Sequence, residues 1–382
     1  MTGTNGKTTT TYLLEAIARA AGERTGVIGT TGARVDGAPV PVGFTTPEAT
    51  ELQALLARMR DAGVQTVAME VSSHALTQRR VDGTWFRAVC FTNLSQDHLD
   101  YHGSLEEYFG AKGRLFGPEL AAGGAVNTDD PYGRTLVERA RIPTRTYSLS
   151  ARADVRARAL HAEADGTTFV LQANEFGLDA TVRFRLLGRF NVMNALSAAT
   201  TALVAGFSPD SVVAGLEAPV IVPGRMERVD AGQAFPVFVD YAHTPDGLDT
   251  VLAASRGLVG HGRVIALFGC GGDRDPSKRT EMGRVVGRRA DVVLLTSDNP
   301  RSEDPARIAA EAEIGLREVG AHYHVELDRR AAIRQAFAQA REGDVVLLLG
   351  KGCEHGQITG GVTVPFDDRV VARGELEALA WT

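Results

Sequence analysis

The chain has 382 residues, enough for two or three domains of ordinary size, and its 44% hydrophobic and 23% charged content is that of a globular protein. A net charge of −6 argues against a basic nucleic-acid surface, and no apolar run is long enough to span a membrane. The three cysteines, Cys90, Cys270 and Cys353, are odd in number and far apart, which excludes a disulfide framework or a metal-spaced set. With no signal-peptide pattern at the start, the expected compartment is the cytoplasm.

In chain order, Lys7–Ala21 reads as a helix, Thr25–Thr30 as a strand, Ala49–Ala62 as a helix, and Val64–Val71 and Arg87–Thr92 as strands. Leu105–Phe116 is again helical. This alternation predicts a mostly parallel sheet covered by helices. From Asp154 to Leu187 the pattern changes, and Thr167–Gln172 and Ala180–Leu186 read as antiparallel strands. Helices follow around Asn191–Ala205 and Ser211–Leu216. Val220–Gly224 reads as a linker. Beyond it, strands at Val237–Asp240, Arg263–Phe268, Asp291–Thr296 and Asp344–Leu349 alternate with helices, the doubly wound pattern of a Rossmann-like domain. The expected organisation is therefore α/β throughout: a P-loop domain over residues 1–222 and a smaller doubly wound domain over 223–382.

The segment Gly3-Thr4-Asn5-Gly6-Lys7-Thr8-Thr9 opens the first helix. Its glycines let backbone N–H groups approach phosphate, and the helix N-terminus favours an anion. Lys7 would reach the β- and γ-phosphates and Thr8 would offer a hydroxyl to Mg²⁺. Such a loop normally follows a buried strand. Here it begins at Thr2, so either the protein starts further upstream or another segment must fill a central place in the sheet. Met69-Glu70-Val-Ser72-Ser73-His74 follows a strand; Glu70 suits Mg²⁺, while Ser72 or Ser73 could simply cap a helix. Asn93-Leu-Ser-Gln-Asp97-His98-Leu-Asp-Tyr-His102 ends another strand, and His98 is the candidate metal or phosphate neighbour. Zinc on His98 and His102 lacks a third ligand in sequence.

Only four of the 41 basic residues are lysine: Lys7, Lys112, Lys278 and Lys351. A lysine kept in so arginine-rich a chain marks a place where a compact, deprotonatable amine is needed. From residue chemistry alone, however, Lys112 reads as a solvated helix residue.

Taken together these motifs resemble the Mur ligases, ATP-dependent enzymes that join a carboxylate to an amine through an acyl-phosphate. Gly188-Arg-Phe-Asn191-Val-Met-Asn194, Pro223-Gly-Arg225-Met-Glu-Arg228, Asp240-Tyr-Ala-His243, Gly269-Cys-Gly-Gly-Asp-Arg274-Asp and Asp298-Asn299-Pro300-Arg301 extend the likeness in the same order along the whole chain. The resemblance is to members that add meso-diaminopimelate to UDP-MurNAc-L-Ala-D-Glu, with the first, UDP-binding domain missing. It implies that Lys112 is carbamylated and, with His98, holds a second Mg²⁺, while Thr8 and Glu70 hold the first. It implies ATP contacts from Gly3–Thr9, Asn191, Asn194, Arg225 and Asp240. Thr45, Thr46, Ser72 and Arg80 match contacts to the muramoyl peptide, although Arg80 alone could be a solvated residue. Arg274, Asp298, Asn299, Arg301, Gly350 and Glu354 match contacts to the amino acid, and an arginine at 301 favours the diacid because its fork binds a carboxylate bidentately. The family usually has histidine where Cys353 stands. The expected partners are these two substrates, with no nucleic acid and no membrane, and the expected state is a monomer. The alternatives are a folylpolyglutamate synthetase-like ligase or an inactive nucleotide-binding fragment.

Overall fold

The computed structural model describes residues 1–150, 152–163 and 166–379. The described chain forms two compact units, Met1–Val220 and Ile221–Thr382. Residues 380–382 of the second expected domain lie outside the described residues.

The first unit begins with α1 (Lys7–Ala20), β1 (Thr25–Gly29), β2 (Gly32–Val35), β3 (Ala38–Val40), α2 (Ala49–Asp61) and β4 (Thr66–Met69). Next come α3 (Ser73–Thr77), β5 (Val89–Phe91), α4 (Leu99–His102), α5 (Leu105–Gly113), β6 (Gly124–Asn127), α6 (Pro131–Arg139) and β7 (Thr144–Ser148). It ends with β8 (Val155–Glu163), β9 (Gly166–Ala173), β10 (Leu178–Phe184), α7 (Arg189–Ala205) and α8 (Pro209–Glu217). Two sheets result, in the orders β3-β2-β1-β4 and β10-β9-β8-β7-β6-β5. Pairings β1–β4 and β5 through β8 are parallel, and the outer strands at the far edges are antiparallel. Helix α7 is apolar nearly all round, with Val192, Ala195, Leu196, Ala198, Ala199 and Ala202 unexposed, as a helix buried among neighbours must be. Its partner α1 contributes Leu13 and Ile17 to the same core.

Met1 and Thr2 join β4 to β5. The Met1 amine donates to Met69 O (2.7 Å) and Met1 O accepts from Val71 N (2.7 Å). Thr2 N donates to Cys90 O (2.8 Å), and Thr2 O accepts from Thr92 N (3.0 Å). Two residues, rather than another segment of the described chain, thus take the central place expected of a strand, at its carboxyl end only. Below them Thr66–Met69 and Phe86–Ala88 line a cleft of about 560 Å³.

The second unit contains β11 (Glu227–Val229), β12 (Val237–Asp240), α9 (Pro245–Arg256), β13 (Val264–Phe268), α10 (Lys278–Arg289) and β14 (Val292–Leu295). It continues through α11 (Pro305–Glu318), β15 (Tyr323–Val325), α12 (Arg329–Gln339), β16 (Val345–Leu349), the hairpin β17 (Gly356–Thr359) and β18 (Val362–Pro365), and α13 (Asp368–Leu379). The sheet order is β11-β12-β16-β13-β14-β15, parallel from β12 onward. Strands β13 and β16 are buried at every position, as continuous apolar runs covered by helices on both faces should be. Helices α9 and α11 start on Thr244-Pro and Asp304-Pro, each cap side chain accepting a backbone N–H. Among the described residues no helix is long and apolar enough to cross a membrane.

Candidate active site

The phosphate loop runs from Thr2 into α1 and is tied to the loop after β5. Asn5 N donates to Asn93 Oδ1 (2.8 Å), Thr4 N to Asn93 O (2.9 Å) and Ser95 N to Thr4 Oγ (3.0 Å). Gly6 has φ 84°, a left-handed conformation that glycine adopts without cost, and a methyl there would lie 2.4 Å from Asn194 Oδ1. That approach places Asn194 against the loop. Asn194 Nδ2 donates to Asn191 Oδ1 (3.0 Å), so the two asparagines at the start of α7 form one group. Lys7 Nζ donates to Gly3 O and Thr4 O, both at 2.9 Å. Thr8 and Thr9 are buried in the first turn of α1.

Lys112 is not solvated. It is 1% exposed, donates to Gly3 O (3.0 Å) and lies 4.2 Å from the Tyr108 ring centroid. Burial, followed by repulsion from Lys7, holds its amine well below the usual lysine range, with Asp97 opposing. A neutral amine is the form that can take up CO₂. His98 adopts φ 55°, a conformation uncommon outside glycine that marks a locally constrained backbone. Its ring packs on His74, 4.9 Å away, and burial pulls it down to about 3 against the nearby Asp97 carboxylate. His102 is turned to a different job: its Nε2 meets Ser73 Oγ at 2.9 Å.

A second group lies beyond β4. Glu70 is 1% exposed; Oε1 accepts from Thr30 N (2.9 Å) and Oε2 from Thr30 Oγ (3.1 Å). Thr45 Oγ contacts Thr30 Oγ (3.2 Å), and Thr46 Oγ accepts from Ser72 N (3.0 Å) while donating to Glu70 O (3.1 Å). Ser72 also caps α3 through Ala75 N. Arg80 belongs to this group and is not a solvated residue: it is 9% exposed and reaches Thr46 O (2.9 Å) and Glu48 (2.8 Å). No hydrogen bond among the described residues links Glu70 directly to His98 or Lys112.

In the second unit four adjacent parallel strands, β12, β16, β13 and β14, present their carboxyl ends together, where open α/β sheets build their sites. Asp240 ends β12; its oxygens accept from Met226 N (2.7 Å) and Ala242 N (2.8 Å), and burial raises its carboxyl above the usual range. Arg225 lies 4.6 Å over the Tyr241 ring. The loops after β13 and β14 bring Arg274 and Arg301 together beside Gly271: a methyl there would lie 3.1 Å from Arg301 Nη1 and 3.7 Å from Arg274 Cγ. Arg301 has φ 54° and its Nη1 donates to Gly272 O (2.6 Å). Asn299 Nδ2 donates to Glu354 Oε2 (2.7 Å), and the Asp298 carboxylate packs against Gly350. The six residues expected to contact an amino acid are thus gathered on one edge of one sheet.

Residues 1–202 match the Mur ligase middle domain and residues 224–352 the Mur ligase glutamate ligase domain. The chain belongs to the Mur ligase family. It is 47% identical over 388 residues to a UDP-N-acetylmuramoyl-L-alanyl-D-glutamate–2,6-diaminopimelate ligase of Geobacillus kaustophilus, covering 99% of this chain and 78% of the relative. The Streptomyces coelicolor ligase of the same name is 48% identical over 380 residues, covering 98% and 74%. A solved structure bearing that name aligns with TM-score 0.67 and 37% identity over 100% of this chain and 78% of its own. A folylpolyglutamate synthase of Mycobacterium tuberculosis aligns with TM-score 0.69, 18% identity and coverage of 99% and 89%, which speaks to the shared fold alone.

This Mur ligase offers cations few hard ligands. Among the described residues no three His, Cys, Asp or Glu side chains could hold a metal ion by themselves. Glu70 and the Thr8 hydroxyl supply oxygen only, a set that suits Mg²⁺ completed by water and substrate phosphate. Motif reading overlooked Thr30, Asn93, Tyr108 and Lys351, which hold the named groups in place. The scarcity of lysine singles out Lys351 in the sequence but gives it no role.

Proposed function

We propose that this Mur ligase adds meso-diaminopimelate to UDP-MurNAc-L-Ala-D-Glu with conversion of ATP to ADP and phosphate. The observation that carries the reading is the pairing of Arg301 and Arg274 at the ends of β13 and β14, in a chain nearly half identical to ligases named for that amino acid. The phosphates lie on Gly3–Thr8 with Lys7; Asn191 and Asn194 are the adenine-side contacts of the first unit, and the second unit offers Arg225 to phosphate and Asp240 to ribose. Thr45, Thr46, Ser72 and Arg80 hold the peptide of the nucleotide substrate. Its terminal side-chain carboxylate attacks the γ-phosphate, and the P–O bond to ADP breaks. Lys7 balances the charge that develops there. The amine of the diaminopimelate, oriented by Arg301 and Arg274, then displaces phosphate from the acyl carbon and loses a proton as the amide forms. Thr8 and Glu70 would hold one Mg²⁺, and His98 with carbamylated Lys112 a second; the ions would neutralise phosphate charge. The protein acts as a cytoplasmic monomer.

The test is ADP release with UDP-MurNAc-L-Ala-D-Glu and either meso-diaminopimelate or L-lysine. Release that requires diaminopimelate supports the reading. Release driven equally by L-lysine would remove the role given to Arg301, and silence with both amines would remove the reading itself.

A further inference from the structure

Lys351 follows Gly350 at the end of β16, and its side chain is 0% exposed. Its ammonium donates to Gly356 O (2.8 Å), Glu354 Oε2 (3.0 Å) and Asn299 Oδ1 (3.2 Å). An ammonium has three protons and all three are placed, so this group serves neither as a base nor as an anion ligand. The three acceptors come from three segments: the loop after β14, the loop after β16 and the start of β17. Asn299 closes the circuit, since its Nδ2 donates to the same Glu354 Oε2 (2.7 Å) and its Oδ1 accepts from Ile358 N (3.0 Å).

Glu354 therefore has one oxygen fixed by two donors. Its other oxygen, Oε1, has no protein partner among the described residues, and the side chain is 32% exposed. The residue type is informative as well. Buried cations elsewhere in this unit are arginines, Arg279 and Arg329, each 1% exposed. Where three acceptors converge on one point, a planar guanidinium cannot reproduce the geometry and a compact ammonium can.

We propose that Lys351 is a positioning residue for the amino-acid substrate: it locks Asn299 and Glu354 so that Glu354 Oε1 is presented to an ammonium group of the diamino acid. The assignment rests on the ligase reading above.

The experiment is steady-state kinetics of the full chain carrying Lys351→Met, Lys351→Arg or Glu354→Gln, with each substrate varied in turn and folding checked by thermal unfolding. Lys351→Met should raise the KM for meso-diaminopimelate about tenfold to a hundredfold and leave the KM for ATP within about twofold. Lys351→Arg should not restore it. In a Glu354→Gln background, Lys351→Met should add less than about twofold, because both changes remove one interaction. Should Lys351→Met fail to fold, Lys351→Gln, which keeps hydrogen-bond donors without the charge, takes its place with the same expectation. An equal rise in the ATP KM, a fall in kcat alone, full rescue by arginine, or additivity with Glu354→Gln would overturn the assignment. Wild type is the control: without diaminopimelate-dependent ADP release, the ligase reading falls and this one with it. With that release intact, a missing KM effect removes Lys351 alone.

Discussion

The phosphate loop of the first unit and the strand-end loops of the second are held in different ways. Around Gly3–Lys7 the contacts from other segments come from the neutral groups Asn93, Ser95, Thr92 and Tyr108 and from the desolvated amine of Lys112, beside the loop's own Lys7. Around Asp298–Arg301 they come from buried arginines: Arg329 spans Asp368, Leu349 O and Ser297 O, and Arg279 spans Glu303, Glu311 and Gly271 O. The chemistry expected of each explains the contrast. A lysine that must be neutral to take up CO₂ needs an environment that desolvates it without pairing it. A site for a zwitterionic diacid needs charges already held in place. Both units carry ion pairs, but the most deeply buried ones, on Arg329 and Arg279, and the stability linked to them, belong to the second unit, while turnover linked to desolvation belongs to the first.

The largest effect should come from Arg329. The side chains of Arg329 and Asp368 are both 0% exposed, with Nη2–Oδ2 2.6 Å and Nε–Oδ1 2.8 Å. Arg329→Met strands a buried carboxylate and should destabilise the protein by about 3–5 kcal/mol, read by chemical denaturation. Arg329→Met with Asp368→Leu should recover most of that loss. If the single variant is as stable as wild type, arginines do not scaffold this unit and the contrast collapses.

Lys112→Ala should come next, lowering ligation about a hundredfold to a thousandfold while the unfolding midpoint changes little by comparison. Labelled ¹³CO₂ should give a carbamate signal in wild type that is absent from the variant. A variant that keeps both turnover and signal would leave the buried amine without a role.

Legibility in sequence divides along similar lines. Main-chain elements with long apolar periods were readable: α1, α7, β13 and β16 lie within a residue or two of their expected ranges. Short elements were not, because β2–β3, β6 and β17–β18 are three or four residues each and depend on pairing partners far away in sequence or on a glycine turn. The phosphate loop was readable because backbone chemistry demands glycine and lysine at fixed spacing. The burial of Arg80 and Lys112 was not, since a cation's exposure is set by what folds over it. The network of Lys351, Asn299 and Glu354 joins positions 52 and 55 residues apart, which no local spacing could reveal.

Arg301 sharpens the comparison from the substrate side. Replacing a charged, bidentate donor typically costs about 1.5–3 kcal/mol, so Arg301→Lys should raise the KM for meso-diaminopimelate about tenfold to a hundredfold. Any ADP release with L-lysine, which lacks the second carboxylate, should barely change. A parallel loss for both amines would mean that Arg301 only shapes the loop through Gly272 O.

The smallest effect tests the electrostatic half of the contrast through pH. The hydrogen bond from Arg279, then the amide of Asp273, holds Glu303 down at about 2, below its ordinary 4.5. A depressed carboxyl contributes stability that is complete above its unfolded value and is lost as pH falls towards the folded one. The relevant window is therefore from about 4.5 down to about 2. Glu303 remains 29% exposed, so solvent screens the pair and its charge contributes only about 1 kcal/mol. Glu303→Gln keeps an acceptor for the Asp273 amide and removes the charge alone. It should cost that amount at pH 7 and progressively less as pH is lowered towards 3, measured by urea unfolding of both proteins. Were the gap between them to stay constant or widen on acidification, the arginine would be acting through shape rather than charge, and the second unit would be scaffolded in the same manner as the first.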